Sequence, residues 1–194
     1  MTNDTRNIVA FLDLAETSSN IYNTQFTQSL SSNYPDNNLA NTMFSDLISN
    51  FSSIRDINEV NNTLSPAISI NFLNGQDYEK LERARRLTES EYTVNKQLGY
   101  ISLNQALNND EVLAVAFQYT VGNNTYQVGE LTTTGPNAPD ALILKLLKGT
   151  NFSPGLPNWD LMMKNIYALG AYQMSADNFI LDVVYENTEE SGAI

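Results

Sequence analysis

The chemistry open to this chain is set by 22 acidic side chains and by the complete absence of histidine and cysteine. Three acid pairs stand close together in sequence: Asp13 with Glu16, Asp110 with Glu111, and Asp177 with Asp182. Paired carboxylates can hydrolyse a glycosidic bond when they face each other about 5–9 Å apart across a cleft. Spacing along the chain does not supply that geometry, and among so many acids, neighbouring pairs arise by chance. Asp13 and Glu16 could also hold a cation, but they close a short apolar run, and a strand leaving a core into solvent reads the same way. The amide- and acid-rich turns at 71–77 and 108–111 offer oxygen ligands for calcium without the spaced D-x-D-x-D-G pattern of a dedicated loop. Trp159 with Tyr167 and Tyr172 would make a sugar-stacking platform, yet a lone Trp beside an apolar run is more often core. No residue is therefore assigned a catalytic, cofactor-binding or metal-binding role, and no cofactor is expected.

Composition removes whole classes of function. Without Cys and His there are no disulfides, thiolate nucleophiles, zinc fingers or Ser-His-Asp triads. Gly99, Gly122, Gly129 and Gly135 are dispersed, and none opens a helix as a phosphate-binding loop does. A formal charge of −12 repels phosphate backbones, so nucleic acid is not an expected partner. The one basic cluster, Lys80, Arg83, Arg85 and Arg86, is interleaved with Glu79 and Glu82 and reads as a salt-laced surface. No apolar run approaches the roughly 20 residues of a membrane helix.

The elements that must position these residues are mostly strands. Residues 112–121 alternate strictly, with Leu113, Val115, Phe117, Tyr119 and Val121 on one side, and predict a strand with one face on a core. Gly122-Asn123-Asn124 suits a tight turn, after which residues 125–130 pair back as a hairpin. Residues 8–14 and 67–73 are apolar and of strand length, the second closed by Asn74-Gly75. Short strands are expected at 91–94, 100–103 and 179–185, whereas 141–148 and 159–172 fit either strand or helix. Residues 76–88, charged with a thin apolar edge at Tyr78, Leu81 and Leu87, predict a short helix or a charged connection. One helix is clear: Leu39, Met43, Phe44, Leu47, Ile48 and Phe51 form a stripe over 38–53, with Asp36, Asn37 or Asn38 available as N-cap. The polar stretch 17–36 reads as a long surface connection.

These elements predict a mainly β to α+β class: a β-sandwich-like domain of seven to nine short strands with a helical insertion near residues 38–53. At 194 residues, 42% hydrophobic and 10% aromatic, the chain reads as a single soluble domain over 1–194. A faint echo between IVAFLDL and AISINFL allows two related halves, about 1–65 and 66–194. The opening MTNDTRN lacks an apolar signal region, which fits a cytosolic protein or, more simply, a piece cut from a much longer chain.

Four phrases carry a resemblance: LGYISLNQALNNDEVLAVAFQYT at 98–120, TYQVGEL at 125–131, WDLMMKNIYALGAYQ at 159–173 and FLDLAE at 11–16. They resemble the gliding-motility protein family SprA, or Sov, the giant outer-membrane translocons of the type IX secretion system of Bacteroidetes. The likeness is spread over most of the chain and implies an excised domain of such a protein. It also implies a role in protein secretion and cell-surface motility, with a parent in the outer membrane and this domain periplasmic or extracellular. The expected partners are other domains of the parent and other type IX secretion or motility components, and the domain itself is expected not to span the membrane. The family brings no catalytic or cofactor residue to positions here.

Alternation over about ten residues, as at 112–121, is also what a barrel strand shows. Ala116, Gln118 and Thr120 make a poor lipid-facing band, and a lone barrel fragment would leave open edges, which favours the water-soluble reading. Three functions follow in order of preference: a non-catalytic structural and interaction domain, a cell-surface carbohydrate- or calcium-binding β-sandwich module, and a glycosidase-like enzyme.

Overall fold

The computed structural model describes residues 5–30, 35–65 and 71–163, together with residues 175, 177, 179, 180 and 182. Among these, eight strands form: β1 (Thr5–Phe11), β2 (Tyr78–Arg85), β3 (Tyr92–Asn95), β4 (Tyr100–Leu103), β5 (Leu113–Val115), β6 (Phe117–Val121), β7 (Asn124–Val128) and β8 (Leu142–Lys148). Two short α-helices accompany them, α1 (Met43–Ser49) and α2 (Val60–Leu64), with 3-10 turns at Ser52–Arg55 and Pro157–Trp159. The fold is thus mainly β to α+β and sandwich-like, with strands dominating two short helices. The chain divides into two compact units, Met1–Met162 and Met163–Ile194, and all of these elements lie in the first. In the second unit, Met163 and residues 175, 177, 179, 180 and 182 are exposed.

The apolar run IVAF at 8–11 is the centre of a four-stranded sheet of order β2-β1-β8-β5. A strand buried on both faces needs a continuous apolar sequence, and β1 has one where it runs parallel to β8. Its Val9, Ala10 and Phe11 are wholly buried. Val9, Phe11 and Ile143 pack in one cluster with Met43 and Leu47 of α1, Ile54 of the 3-10 turn Ser52–Arg55, Val60 and Leu64 of α2, and Phe72. Phe72 meets Phe11 edge-on at 6.0 Å between ring centroids and Phe26 at 4.1 Å. The sheet takes β1 from the segment 1–65 and its other three strands from beyond residue 66.

Several expected boundaries move, each for a physical reason. The helix expected over 38–53 is confined to Met43–Ser49 and followed by the 3-10 turn, and Thr42 rather than Asp36, Asn37 or Asn38 stands at its N-cap. Residues 38–41 stay out of the helix because their side chains are engaged elsewhere. The Asn38 amide exchanges two hydrogen bonds with the Gly129 backbone, and the Asn41 amide donates to the carbonyls of Asp13 and Glu16. Leu39, assigned to the apolar stripe, is consequently exposed.

Residues 76–88 are neither helix nor connection: Tyr78–Arg85 is the edge strand β2, antiparallel to β1. The backbone of β1 needs a partner on that side, and Tyr78 gains the core by supplying one. A register shift between Arg6 and Ile8 accompanies Arg83 at φ 53°, whose N–H donates to the Asn7 side chain. The ambiguous 141–148 segment is strand β8.

The single strand expected over 112–121 is two strands in two sheets. β5 pairs with β8, while β6 pairs with β7 in a separate hairpin, and Ala116 lies between them. Gly129 explains the break. A Cβ there would stand 3.1 Å from the Ala116 Cβ and 3.2 Å from the Val115 carbonyl, so the end of β7 passes directly over the junction. The large apolar face is therefore divided: Tyr119 packs on the core, but Phe117 and Val121 are exposed. The turn falls at Gly122-Asn123, since Val121 pairs with Asn124.

The strands expected at 91–94 and 100–103 are present as β3 and β4, paired as a hairpin, with the first displaced by one residue. The strand expected at 8–14 ends at Phe11. At 67–73 the described residues 71–73 are not in a strand, residues 66–70 lying outside the described set. Trp159 closes a 3-10 turn, while residues 164–172 lie outside the described set. Phe179, Ile180 and Asp182 are in no strand, and residues 181 and 183–185 are likewise outside it.

Candidate functional site

The turn at the carboxyl end of β1 collects a cluster of buried polar side chains. β1 stops at Phe11, and the chain turns through Leu12, Asp13, Leu14 and Ala15, the last at φ 66°. Asp13 is only 3% exposed, so it does not lead a strand into solvent as its sequence context suggested. Its two carboxylate oxygens accept the backbone N–H groups of Tyr22 and Asn23, each at 2.8 Å. These bonds make burial of the acid tolerable by replacing lost hydration. Burial pushes the Asp13 carboxyl above the ordinary aspartate range, the two backbone bonds and the Lys145 charge pull it down, and the Asp77 charge adds to the rise.

Around Asp13 the network continues. The Asn23 amide donates to Asp77 at 3.3 Å, and Asp77 accepts the Leu73 N–H at 2.8 Å. Lys145 of β8, buried, donates to the Leu12 carbonyl and to Glu16. Asn41, fully buried, donates to the carbonyls of Asp13 and Glu16 at 2.8 Å each and accepts the Met43 N–H at 2.9 Å. The structure thus brings Asp13 and Glu16 together around one cation, Lys145. Asp77, from the turn 71–77 weighed for calcium, closes that turn on itself. Among the described residues no three acidic side chains converge as metal ligands.

The other sequence candidates are separate. Glu111 accepts the Asn108 N–H at 2.7 Å, and Lys148 caps the 108–111 turn through the carbonyls of Asn108, Asn109 and Glu111. Burial lowers the Lys148 ammonium, against the raising charges of Glu111, Asp110 and Glu79. Asp177 and Asp182 are exposed in the second unit. Trp159 lines a cavity of about 10 Å³ with Leu147, Phe152 and Met162; Tyr167 and Tyr172 lie outside the described residues. In the basic cluster, Arg85 pairs with Glu91 at 2.7 and 2.8 Å, and Lys80 donates to the Ile57 carbonyl.

Two buried carboxylates carried no sequence signal. Glu130 accepts both Arg55 guanidinium nitrogens at 2.6 Å and the Ile143 N–H at 2.8 Å. Glu79 accepts the N–H and hydroxyl of Thr150, each at 2.7 Å. Partners 75 and 71 residues away leave no local spacing to read.

Among the described residues, the two small hairpins carry apolar and aromatic side chains that are exposed or half-buried. On the β3–β4 hairpin, Val94, Leu98 and Ile101 are 47%, 75% and 39% exposed. On β6–β7, Phe117, Tyr119 and Tyr126 form a row with centroids 5.9 and 5.5 Å apart. No helix among the described residues is long and apolar enough to cross a membrane. No model of a known protein family matches the chain, and no curated protein matches it.

Proposed function

We propose that this chain is a non-catalytic structural and interaction domain of a giant outer-membrane protein of type IX secretion and gliding motility. The observation that carries the reading is where its most specific phrase falls. Residues 98–120, which resemble the SprA/Sov family, form β4, β5 and β6 and include the exposed Leu98, Ile101 and Phe117. A contact role is also supported by the buried acids. Asp13, Asp77, Glu79 and Glu130 all accept hydrogen bonds that tie loops and strands of the same chain together. On this reading the parent sits in the outer membrane and this domain works in the periplasm or outside the cell, against other parts of the parent and other secretion components.

The test is capture from solubilised outer membranes with the tagged chain as bait. Type IX secretion or motility components should be enriched over a bait of equal charge, and their absence overturns the proposal. One observation favours a second reading, a carbohydrate-binding surface module: the aromatic row Phe117–Tyr119–Tyr126, exposed at Phe117 and half-buried at the two tyrosines, a shape on which sugar rings stack. Titration calorimetry with cell-surface glycans separates the two, since only the second predicts saturable heat lost in Tyr126→Ala.

A further inference from the structure

Among the described residues, one buried pairing of opposite charges is a candidate covalent bond. Lys145 and Glu16 have side chains 9% and 18% exposed, and the Lys145 Nζ contacts Glu16 Oε1 directly. We propose that these two side chains condense to an intramolecular amide, which cross-links β8 to the turn that follows β1.

The turn is held in place for the reaction. The buried Asn41 amide binds the Asp13 and Glu16 carbonyls, and Ala15 is kept at φ 66°, a conformation a non-glycine residue holds only when its surroundings impose it. Groups fixed in contact react as though at very high concentration, about 10⁵ M or more. The carboxyl of the neighbouring Asp13 is buried beside the pair and interacts electrostatically with Lys145. Burying an ion pair away from water costs more free energy than burying a neutral, hydrogen-bonded amide.

The step balances without any co-reactant. The ammonium passes one proton to the Glu16 carboxylate, and the freed Nζ lone pair forms a bond to the Glu16 Cδ. The Cδ–Oε1 bond breaks, and that oxygen leaves as water with two of the three original ammonium protons. The third remains as the amide N–H, for which the Leu12 carbonyl, already a partner of Lys145, is the acceptor. No oxidant is needed, which suits a chain without cysteine.

The experiment is the intact mass of the denatured 194-residue chain, followed by peptide mapping. The expected mass is lighter than the sequence by one water, with a branched peptide joining Glu16 to Lys145. Lys145→Met and Glu16→Ala should both have the full mass of their sequences. Glu16→Gln should lose ammonia instead and reach the same cross-linked mass as the wild type. A wild-type chain at full sequence mass overturns the proposal, as does a water-light chain without the branched peptide. Both readings are taken on unfolded wild-type protein, so they do not depend on any variant folding.

Discussion

Arg55 and Glu130 clasp each other through both guanidinium nitrogens and both carboxylate oxygens, with each N···O distance at 2.6 Å. The clasp joins the 3-10 turn after α1 to the segment that follows β7. Arg55 also donates to the Ala141 carbonyl and accepts its N–H, while Glu130 accepts the Ile143 N–H. Removing the acid alone leaves a mostly buried cation and an unpaired backbone donor. Glu130→Ala should therefore cost about 3 kcal/mol, the low end for breaking a buried pair because Arg55 keeps some solvent contact. Urea unfolding measures it, and the Arg55→Ala, Glu130→Ala cycle should return a coupling above about 1 kcal/mol. Additive effects would mean that the pair contributes only through packing.

Gly129 and Gly99 share almost the same backbone, at φ 68° and 69°, but not the same surroundings. A Cβ on Gly99 meets nothing within 4 Å, whereas one on Gly129 meets Ala116, Val115 and Ile143 at 3.1 to 3.3 Å, two of these contacts being backbone carbonyls. Gly99→Ala should lose about 1–2 kcal/mol from left-handed strain alone. Gly129→Ala should lose at least about 1 kcal/mol more, because the strand junction must shift to admit the methyl group. Equal losses in thermal unfolding would show that the junction at Ala116 is soft.

The Asp13 carboxyl makes the protein less stable as pH rises. Its folded pKa is raised above the ordinary value of 3.8, so the folded chain binds the proton more tightly than the unfolded one. The resulting stabilisation is complete below about pH 3.9 and is lost as pH rises through the raised folded value. Asp13→Asn removes this dependence while disturbing one of the two N–H bonds at every pH. The wild-type advantage over Asp13→Asn in urea midpoint should therefore shrink as pH climbs above 4. A constant difference would show that desolvation does not dominate at this site.

Glu91 gives the opposite slope. The Thr88 N–H first, then Arg85 and the Thr88 hydroxyl, hold its carboxyl at about 2, well below the ordinary 4.5. A depressed acid contributes stability above its unfolded pKa and loses it as pH falls through the folded one. In Glu91→Gln the fall in melting temperature between pH 5 and pH 2 should be shallower than in the wild type. Raised salt should shrink the difference, since the Arg85 pair lies in solvent.

The parts of this fold that were legible in sequence are the local ones. Gly122 adopts the positive φ its turn requires, and the strands on either side pair in the register that turn imposes. Alternation at 112–121 was real but blind to the break, because the pattern reads identically on both sides of Ala116. What divides it is Gly129, thirteen residues later in the chain and pressed against it in space. Strand β2 was hidden because Glu79, Lys80 and Glu82 lack strand propensity, and its partner β1 lies more than 60 residues away. Asp13 looked like a residue leaving the core because its acceptors' donors, the Tyr22 and Asn23 N–H groups, belong to a stretch that reads only as a polar loop.

The β3–β4 hairpin offers the sharpest test of the proposed role. Val94 and Ile101 are a directly opposed pair on one face, and Leu98 projects from the connecting turn. Exposed side chains of this kind contribute little to folding, so Val94→Asp with Leu98→Asp should change stability by less than about 1 kcal/mol. The turn survives the second change because the Asn95 side chain binds the Leu98 backbone N–H rather than its side chain. A partner that covers this face would have to bury two carboxylates without partners, at about 1–3 kcal/mol each on protein scales. Capture of secretion components by the doubly substituted bait should accordingly fall at least about tenfold while its melting temperature stays near that of the wild type. Undiminished capture would move the contact surface to the Phe117–Tyr119–Tyr126 face, where Phe117→Asp is the corresponding variant.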